Sequence, residues 1–285
     1  MYNLAAFILH AVSGGLLLVL TIGNDAWPVY STIKHYSWVP VNATLNATSC
    51  RDVQCKISVV EETVAAIPLE WLVFAFHMMS VVAHFGNYYL WHTEYMRWLE
   101  RKMNPGRWLE YFWSASIMQV VIMVLTGFTD VWVLSMSAVL IGVTQAFGHV
   151  TEQYLYYYYS PAHYQRVEGR HTAHNAEVWQ YFWYGVISFL PPWVAIYYSF
   201  YWSIGNSDPG PPEWVKAIVW TLVITFASFA GVMVYYIINY FKDDVSYKAE
   251  KYYCILSLLA KTLLTWQLYF GVFVRSDRDL VAYNP

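Results

Sequence analysis

Seven long apolar stretches, joined with one exception by short links, leave this chain little choice of fold. They run Tyr2–Ile22, Val64–Trp91, Trp108–Phe128, Val131–Val150, Val178–Trp202, Trp214–Phe241 and Tyr252–Val274. Each has the length a helix needs to cross a hydrocarbon core about 30 Å thick. Inside such a core the backbone must satisfy its own hydrogen bonds within each segment, which helices do. Composition agrees, with 58% of the 285 residues hydrophobic, 20% aromatic and only 12% charged. That is about half the charged share of a soluble domain. The expectation is an all-α integral membrane protein, a single seven-helix domain over residues 1–285 with no soluble domain and no cleavable leader. The formal net charge of −3 offers no basic surface for a nucleic acid, so the expected surroundings are membrane lipid.

Two features set an orientation. The long first loop, about residues 23–63, contains the sequons Asn42-Ala43-Thr44 and Asn46-Ala47-Thr48, and Cys50 and Cys55 are close enough to bridge within it. Both suit an oxidising exterior. The links after the second, fourth and sixth segments carry Arg97, Arg101, Lys102, Arg107, Arg166, Arg170, Lys242, Lys248 and Lys251, whereas the short links after the third and fifth carry no lysine or arginine. By the positive-inside rule the N-terminus is cytoplasmic and the C-terminus extracellular. Seven-helix receptors have the opposite orientation, and no Asp-Arg-Tyr follows the third segment here.

Within this frame one residue is costly. Lys261 lies near the middle of the last apolar stretch, in SLLAKTLLTW. A lysine at the centre of a membrane helix costs roughly 2.5–3.5 kcal/mol on insertion scales, so it has a partner or a task. It is either a structural cation paired with a carboxylate, or an amine that carries an aldehyde as a Schiff base. Either role needs a nearby anion. Glu110, in NPGRWLEYFWSAS of the third segment, supplies one, though a carboxylate early in a helix is also favoured by the macrodipole alone. Ser257 stands one helical turn before Lys261 and shares its face.

Other polar residues are fewer. His10 lies in the first segment and His77 and His84 in the second, seven apart and on one face. They read as hydrogen-bonded structural groups or as proton acceptors, and no metal site is expected from them. Glu70, Glu152 and Glu213 sit at the rims, where carboxylates are ordinarily solvated, and they are the remaining candidates for an ion path. Trp193, after Pro191 in the fifth segment, and Phe226 and Phe229 in the sixth are candidate walls for a flat ligand, or plain packing. The tyrosines of Tyr154–Tyr159 read as an interfacial aromatic belt.

Taken together, NPGRWLEYFWSAS, YYCILSLLAKTLLTW, SVVAHF in the second segment and FWYGVISFLPPW in the fifth resemble the signatures of heliorhodopsins, a resemblance that extends over all seven segments. It implies a seven-helix rhodopsin bundle of inverted topology, with a β-hairpin in the long first extracellular loop. It further implies all-trans retinal on Lys261 as a protonated Schiff base, Glu110 as counterion, Ser257 near the Schiff base, and His10 and His84 in a polar cavity on the cytoplasmic side. A homodimer, and a slow photocycle with sensory or regulatory output and no enzymatic activity, are implied too. Ser13 stands where the family commonly has glutamine, so that cavity is wired differently here. The third segment holds no second carboxylate, and Ser257 occupies the position that pumps of the microbial type give to aspartate, which weighs against vectorial pumping. The open alternatives are a photoreceptor acting on an unseen partner, a light-gated proton conductor using Glu110, the histidines and rim acids, and a membrane protein that binds no retinal. A plasma-membrane location is expected for each.

Overall fold

The computed structural model describes residues 2–22, 29–40, 55–159, 171–206 and 213–274. The described residues form eight α-helices and one β-hairpin. The helices are α1 (Tyr2–Thr21), α2 (Leu69–Phe85), α3 (His92–Glu100), α4 (Pro105–Leu125), α5 (Val131–Tyr158), α6 (His171–Asn206), α7 (Glu213–Ile238) and α8 (Val245–Leu268). Single π-helical turns extend α2 over Gly86–Leu90 and α8 over Tyr269–Phe273. Seven of the helices are long, and α3 is a short amphipathic helix that joins α2 to α4. Six of the seven are long and apolar enough to cross a membrane. The seventh, α6, runs 36 residues and continues through Pro191 and Pro192. The protein is therefore an integral membrane protein with the expected bundle.

Neighbours in the chain are neighbours in space: α1 packs on α2, α2 on α4, α4 on α5, α5 on α6, α6 on α7 and α7 on α8, and α8 returns to α1. The ring closes around two buried clusters. One holds Leu17, Val73, Phe76, Ile122, Trp193, Leu222, Leu264 and Leu268, and the other Trp108, Tyr111, Val178, Tyr236 and Tyr253. Apolar side chains such as Ile8, Val12, Trp113, Val139, Ile187, Ile224 and Leu259 point outward and are more than 40% exposed. In a bilayer that is the lipid face, and it explains why the helices are apolar nearly all round.

The β-hairpin pairs β1 (Val29–Pro40) with β2 (Cys55–Ile67) antiparallel, in a register that sets Tyr36 opposite Val59. Thr32 N–H donates to Thr129 O at 2.9 Å, which ties the hairpin to the α4–α5 link. The hairpin thereby marks one end of the bundle. The second helix begins later than the apolar run suggests, because Val64–Ile67 belongs to β2. The β-branched run before it favours pairing, and Pro68 precedes the helix at its cap position. The last helix begins earlier, at Val245, since charged residues continue it beyond the apolar stretch. Asn42, Asn46 and Cys50 lie outside the described residues; Cys55 opens β2.

Two caps fix helix starts. Asn104 Oδ1 accepts from Arg107 N–H at 3.1 Å with Pro105 in the first turn, as the Asn-Pro pair predicts. Asp130 Oδ1 accepts from the N–H groups of Trp132 and Val133, so Asp130 is the N-cap of α5.

Candidate functional site

Four helices aim polar side chains at one point. On α8, Ser257, Lys261 and Thr265 follow at four-residue intervals along one face. On α4, Glu110 and Ser114 are likewise four apart, and on α2, His77, Ser80 and His84 share a stripe. On α1, His10 and Ser13 face the same interior. The approach of α1 to α2 depends on Gly14, where a Cβ would lie 2.6 Å from His77 Cβ. That contact lets His10 reach His77.

At the centre, Lys261 Nζ donates to Glu110 Oε1 at 2.6 Å, to Ser80 Oγ at 2.6 Å and to Ser257 Oγ at 2.9 Å. Glu110 Oε1 also accepts from Ser80 Oγ at 2.7 Å and Ser114 Oγ at 2.9 Å. Lys261 is 2% and Glu110 9% exposed, so the pair is sealed from water. A buried ion pair survives when its remaining donors and acceptors are satisfied, and the three serines do this. Lys261, Glu110 and Ser257 stand out in the sequence, and Ser80 does not. Its position three residues after His77 and four before His84 carries the missing signal.

Beside this pair lies a cavity of about 110 Å³. Its walls are Trp108, Tyr111, Met118, Phe182, Phe189, Phe226, Phe229 and Tyr253, and Lys261 and Ser257 stand among its lining. The lining includes Gly148, where a Cβ would meet the Trp108 ring at 2.3 Å. Phe226 and Phe229 line this cavity. Trp193 stands one layer behind, buried against Phe189 and Phe226 with ring centroids 5.7 and 5.4 Å away. A flat apolar molecule with one electrophilic end fits this shape: aromatic faces for its length and an amine at its end.

The polar residues continue as a histidine cluster that straddles Lys261, with His84 on the side away from the hairpin and His77, bonded to Thr265 one turn beyond Lys261, on the hairpin side. His10 Nδ1 and His77 Nδ1 are 3.0 Å apart, and His77 Nε2 lies 2.8 Å from Thr265 Oγ1. The His10 and His84 rings stack at 5.6 Å, and His84 Nδ1 lies 2.7 Å from Asn3 Oδ1. Ser13 is buried with its hydroxyl unpaired among the described residues. Toward the hairpin, past His77 and Thr265, apolar side chains fill most of the interior: Leu17, Val73 and Leu268 are completely buried, as is the polar Gln119.

A second buried charge cluster corrects the expectation for the rims. Glu152 is 1% exposed and not solvated. Arg107, which the sequence places among the link cations, is buried within the first turn of α4 and is ion-paired to both Glu152 and Glu250. Trp108 Nε1 and Asn104 N–H complete Glu152 at 2.8 and 3.0 Å, and Asn104 Nδ2 reaches Glu250 at 2.9 Å. The Arg107 guanidinium also lies 4.2 Å from the Tyr253 ring centroid, a cation–π contact. Tyr95 of α3 donates to Glu250, and burial first, then the Glu250 charge, push its phenol up from the usual range, so it remains a neutral donor. Hydropathy alone places such residues at the rim, because it cannot see that three helix ends converge there. Glu70 lies half-buried in the first turn of α2, and the side chain of Glu213 lies outside the described residues.

Thus Lys261, Glu110, Ser257, the three histidines and Ser13 are brought together, whereas Glu152 belongs to a separate network and Glu70 to the hairpin end. Among curated proteins, none matches the chain. A model of the heliorhodopsin family matches residues 1–273. This family denotes rhodopsin-type light-sensing proteins with a retinal chromophore, in agreement with the buried lysine, its carboxylate and the aromatic cavity. The chain belongs to the heliorhodopsin family.

Proposed function

We propose that this protein is a light sensor in which Lys261 Nζ holds all-trans retinal as a protonated Schiff base and Glu110 is the counterion. The observation that carries this reading is the sealed 2.6 Å contact between Lys261 and Glu110 beside an aromatic cavity. Bound there, retinal supplies a light-driven double-bond isomerisation to the 13-cis form next to the lysine nitrogen. The chain's own residues do the rest. Glu110 balances the cation, Ser80 and Ser114 orient the carboxylate, and Ser257 holds the polar contact one turn below the lysine. Trp108, Phe226 and Phe229 wall the chromophore and exclude water. When charge at Lys261 changes, His10 and His84 lie toward the side away from the hairpin to take up a proton, and His77 is linked to His10 from the hairpin side.

The buried residues above Lys261 favour sensing over conduction. Beyond His77 and Thr265 the completely buried Leu17, Val73 and Leu268 close the hairpin side to a proton taken up by His10 or His84. In the orientation argued from charge, the His84 side is cytoplasmic, the hairpin is extracellular and the plasma membrane is the site of action. The output is a conformational change read by an unidentified partner, from a homodimer, without enzymatic turnover. The test is voltage-clamp recording under light with retinal supplied, paired with absorption of the purified protein. A visible band abolished by Lys261→Ala, with no photocurrent under any proton gradient, is the expected result. A current that reverses with the proton gradient and the voltage would replace sensing by light-gated proton conduction through Glu110 and the histidines. Absence of the visible band would overturn the chromophore assignment.

A further inference from the structure

The hydrogen bonds around His77 determine where its protons sit. Thr265 has one hydroxyl proton, and it is spent on the Lys261 carbonyl at 2.7 Å. Toward His77 Nε2, at 2.8 Å, the threonine oxygen can therefore only accept, so that nitrogen carries the hydrogen. In a neutral ring the other nitrogen, Nδ1, is then a bare acceptor. It lies 3.0 Å from His10 Nδ1, which must donate. His10 is thereby left with Nδ1–H and an unprotonated Nε2. That atom is completely buried and has no hydrogen-bond partner among the described residues.

We infer that Thr265 and His77 act as positioning residues which lock His10 in the Nδ1–H tautomer and keep its Nε2 open as a proton acceptor. In water the Nδ1–H form of a histidine side chain is the minor one, so the lock holds His10 in the form that solution disfavours. The inference rests on the proposed function for its purpose: a proton released at the Lys261 nitrogen is taken by the lone pair of His10 Nε2. His10 then has two N–H groups, Nδ1–H still donating to His77, and the positive charge has moved from the lysine nitrogen to the imidazole. No other proton need move. The lock itself begins at the carbonyl of Lys261, so displacement of the α8 backbone there acts on His10 through three hydrogen bonds. The charged or titratable groups facing His10 are Lys261, His77 and His84. His84 is held separately. Its Nδ1 lies against Asn3 Oδ1, whose side chain also reaches the Tyr95 hydroxyl. It therefore serves as an internal control.

The experiment is nitrogen NMR of the full chain with labelled histidine, in lipid nanodiscs at a pH where the rings are neutral, with and without retinal. The expected wild-type spectrum has His10 and His84 as Nδ1–H and His77 as Nε2–H. Thr265→Val should lose the His10 Nδ1–H signature and leave that of His84 in place, and Thr265→Ser should restore it. His77→Phe should release His10 in the same way by a different route. Wild-type His10 found as Nε2–H would overturn the inference, as would a Thr265→Val spectrum with His10 unchanged. Because the dark tautomers are read in the retinal-free protein, they are independent of the chromophore. A missing visible band would sink the functional reading and leave the tautomer lock standing or falling on its own data. In the loaded protein under light, His10 should gain its second N–H, and Thr265→Val should reduce that gain about tenfold at equal illumination. An equal gain in both would confine the lock to structure and overturn its role in proton uptake.

Discussion

Lys261 Nζ lies 2.6 Å from Glu110 Oε1, with the two residues only 2% and 9% exposed. A pair sealed this well is asymmetric in its energetics. Removing one partner strands a charge, and about 3–5 kcal/mol is the usual cost; replacing both by neutral groups is nearly without penalty. In the retinal-free protein, Lys261→Met and Glu110→Gln should each lower thermal stability by that order. The double variant should recover most of the loss. Additive losses in the double variant would mean that the two groups do not depend on one another.

In the retinal-loaded protein, Glu110→Gln removes the anion that balances the cation. The absorption maximum should shift, and the visible form should disappear at lower pH than in wild type, because an opposite charge within hydrogen-bond distance is what retains the proton. Titration of the visible band measures both. Unchanged colour and unchanged titration would assign the counterion elsewhere.

Gly148 allows the Trp108 ring to lie against α5, since a Cβ there would come within 2.3 Å of it. Gly148→Val should push the indole toward the cavity, with an overpacking cost of about 1–3 kcal/mol. Retinal uptake, followed by growth of the visible band, should fall steeply while the helical circular dichroism is retained. Unimpaired uptake would mean that Trp108 has other room to move.

Arg107 holds two buried carboxylates, so its loss should exceed the loss of either acid. Arg107→Leu leaves Glu152 and Glu250 facing each other without their cation and should destabilise by at least 3–5 kcal/mol. Glu152→Gln leaves one carboxylate per guanidinium and should cost less. Thermal unfolding of the two variants side by side decides the order.

Lys102 adopts a left-handed backbone with φ of 53° and donates through Nζ to the carbonyls of Tyr240 at 2.9 Å and Lys242 at 3.1 Å. The Tyr236 hydroxyl returns a bond to the Lys102 carbonyl. The α3–α4 turn thus clasps the end of α7. Lys102→Met should raise amide hydrogen exchange over residues 238–245 about tenfold, as expected when a helix C-terminus loses its capping cation. Exchange confined to wild-type rates would show that the clasp contributes no protection.

Several of these groups are legible in the amino-acid sequence. Periodic apolar runs of membrane length report helices directly, because a bilayer leaves the backbone no other partner. A lysine in such a run reports its own importance by its cost, and the spacing of Ser257 to Lys261 follows from the helical repeat alone. The Asn104-Pro105 cap is equally local. Where sequence and fold part company, the cause is distance in the chain. Val64–Ile67 looks helical by hydropathy, yet its partners for pairing lie over thirty residues away in β1.

The same limit separates the two charge clusters. The sequence alone determined that seven apolar stretches of membrane-spanning length follow one another, that Lys261 needs an anion, and that Glu110 is the carboxylate the third segment supplies. Only the tertiary structure decided that Ser80 joins that pair, that Glu152 and Glu250 share Arg107 away from water, and that His77 links His10 to Thr265. The physical reason is that burial and hydrogen-bond partnership are properties of helices from distant parts of the chain meeting in space. Periodicity gives the face a side chain occupies, and packing decides what that face meets.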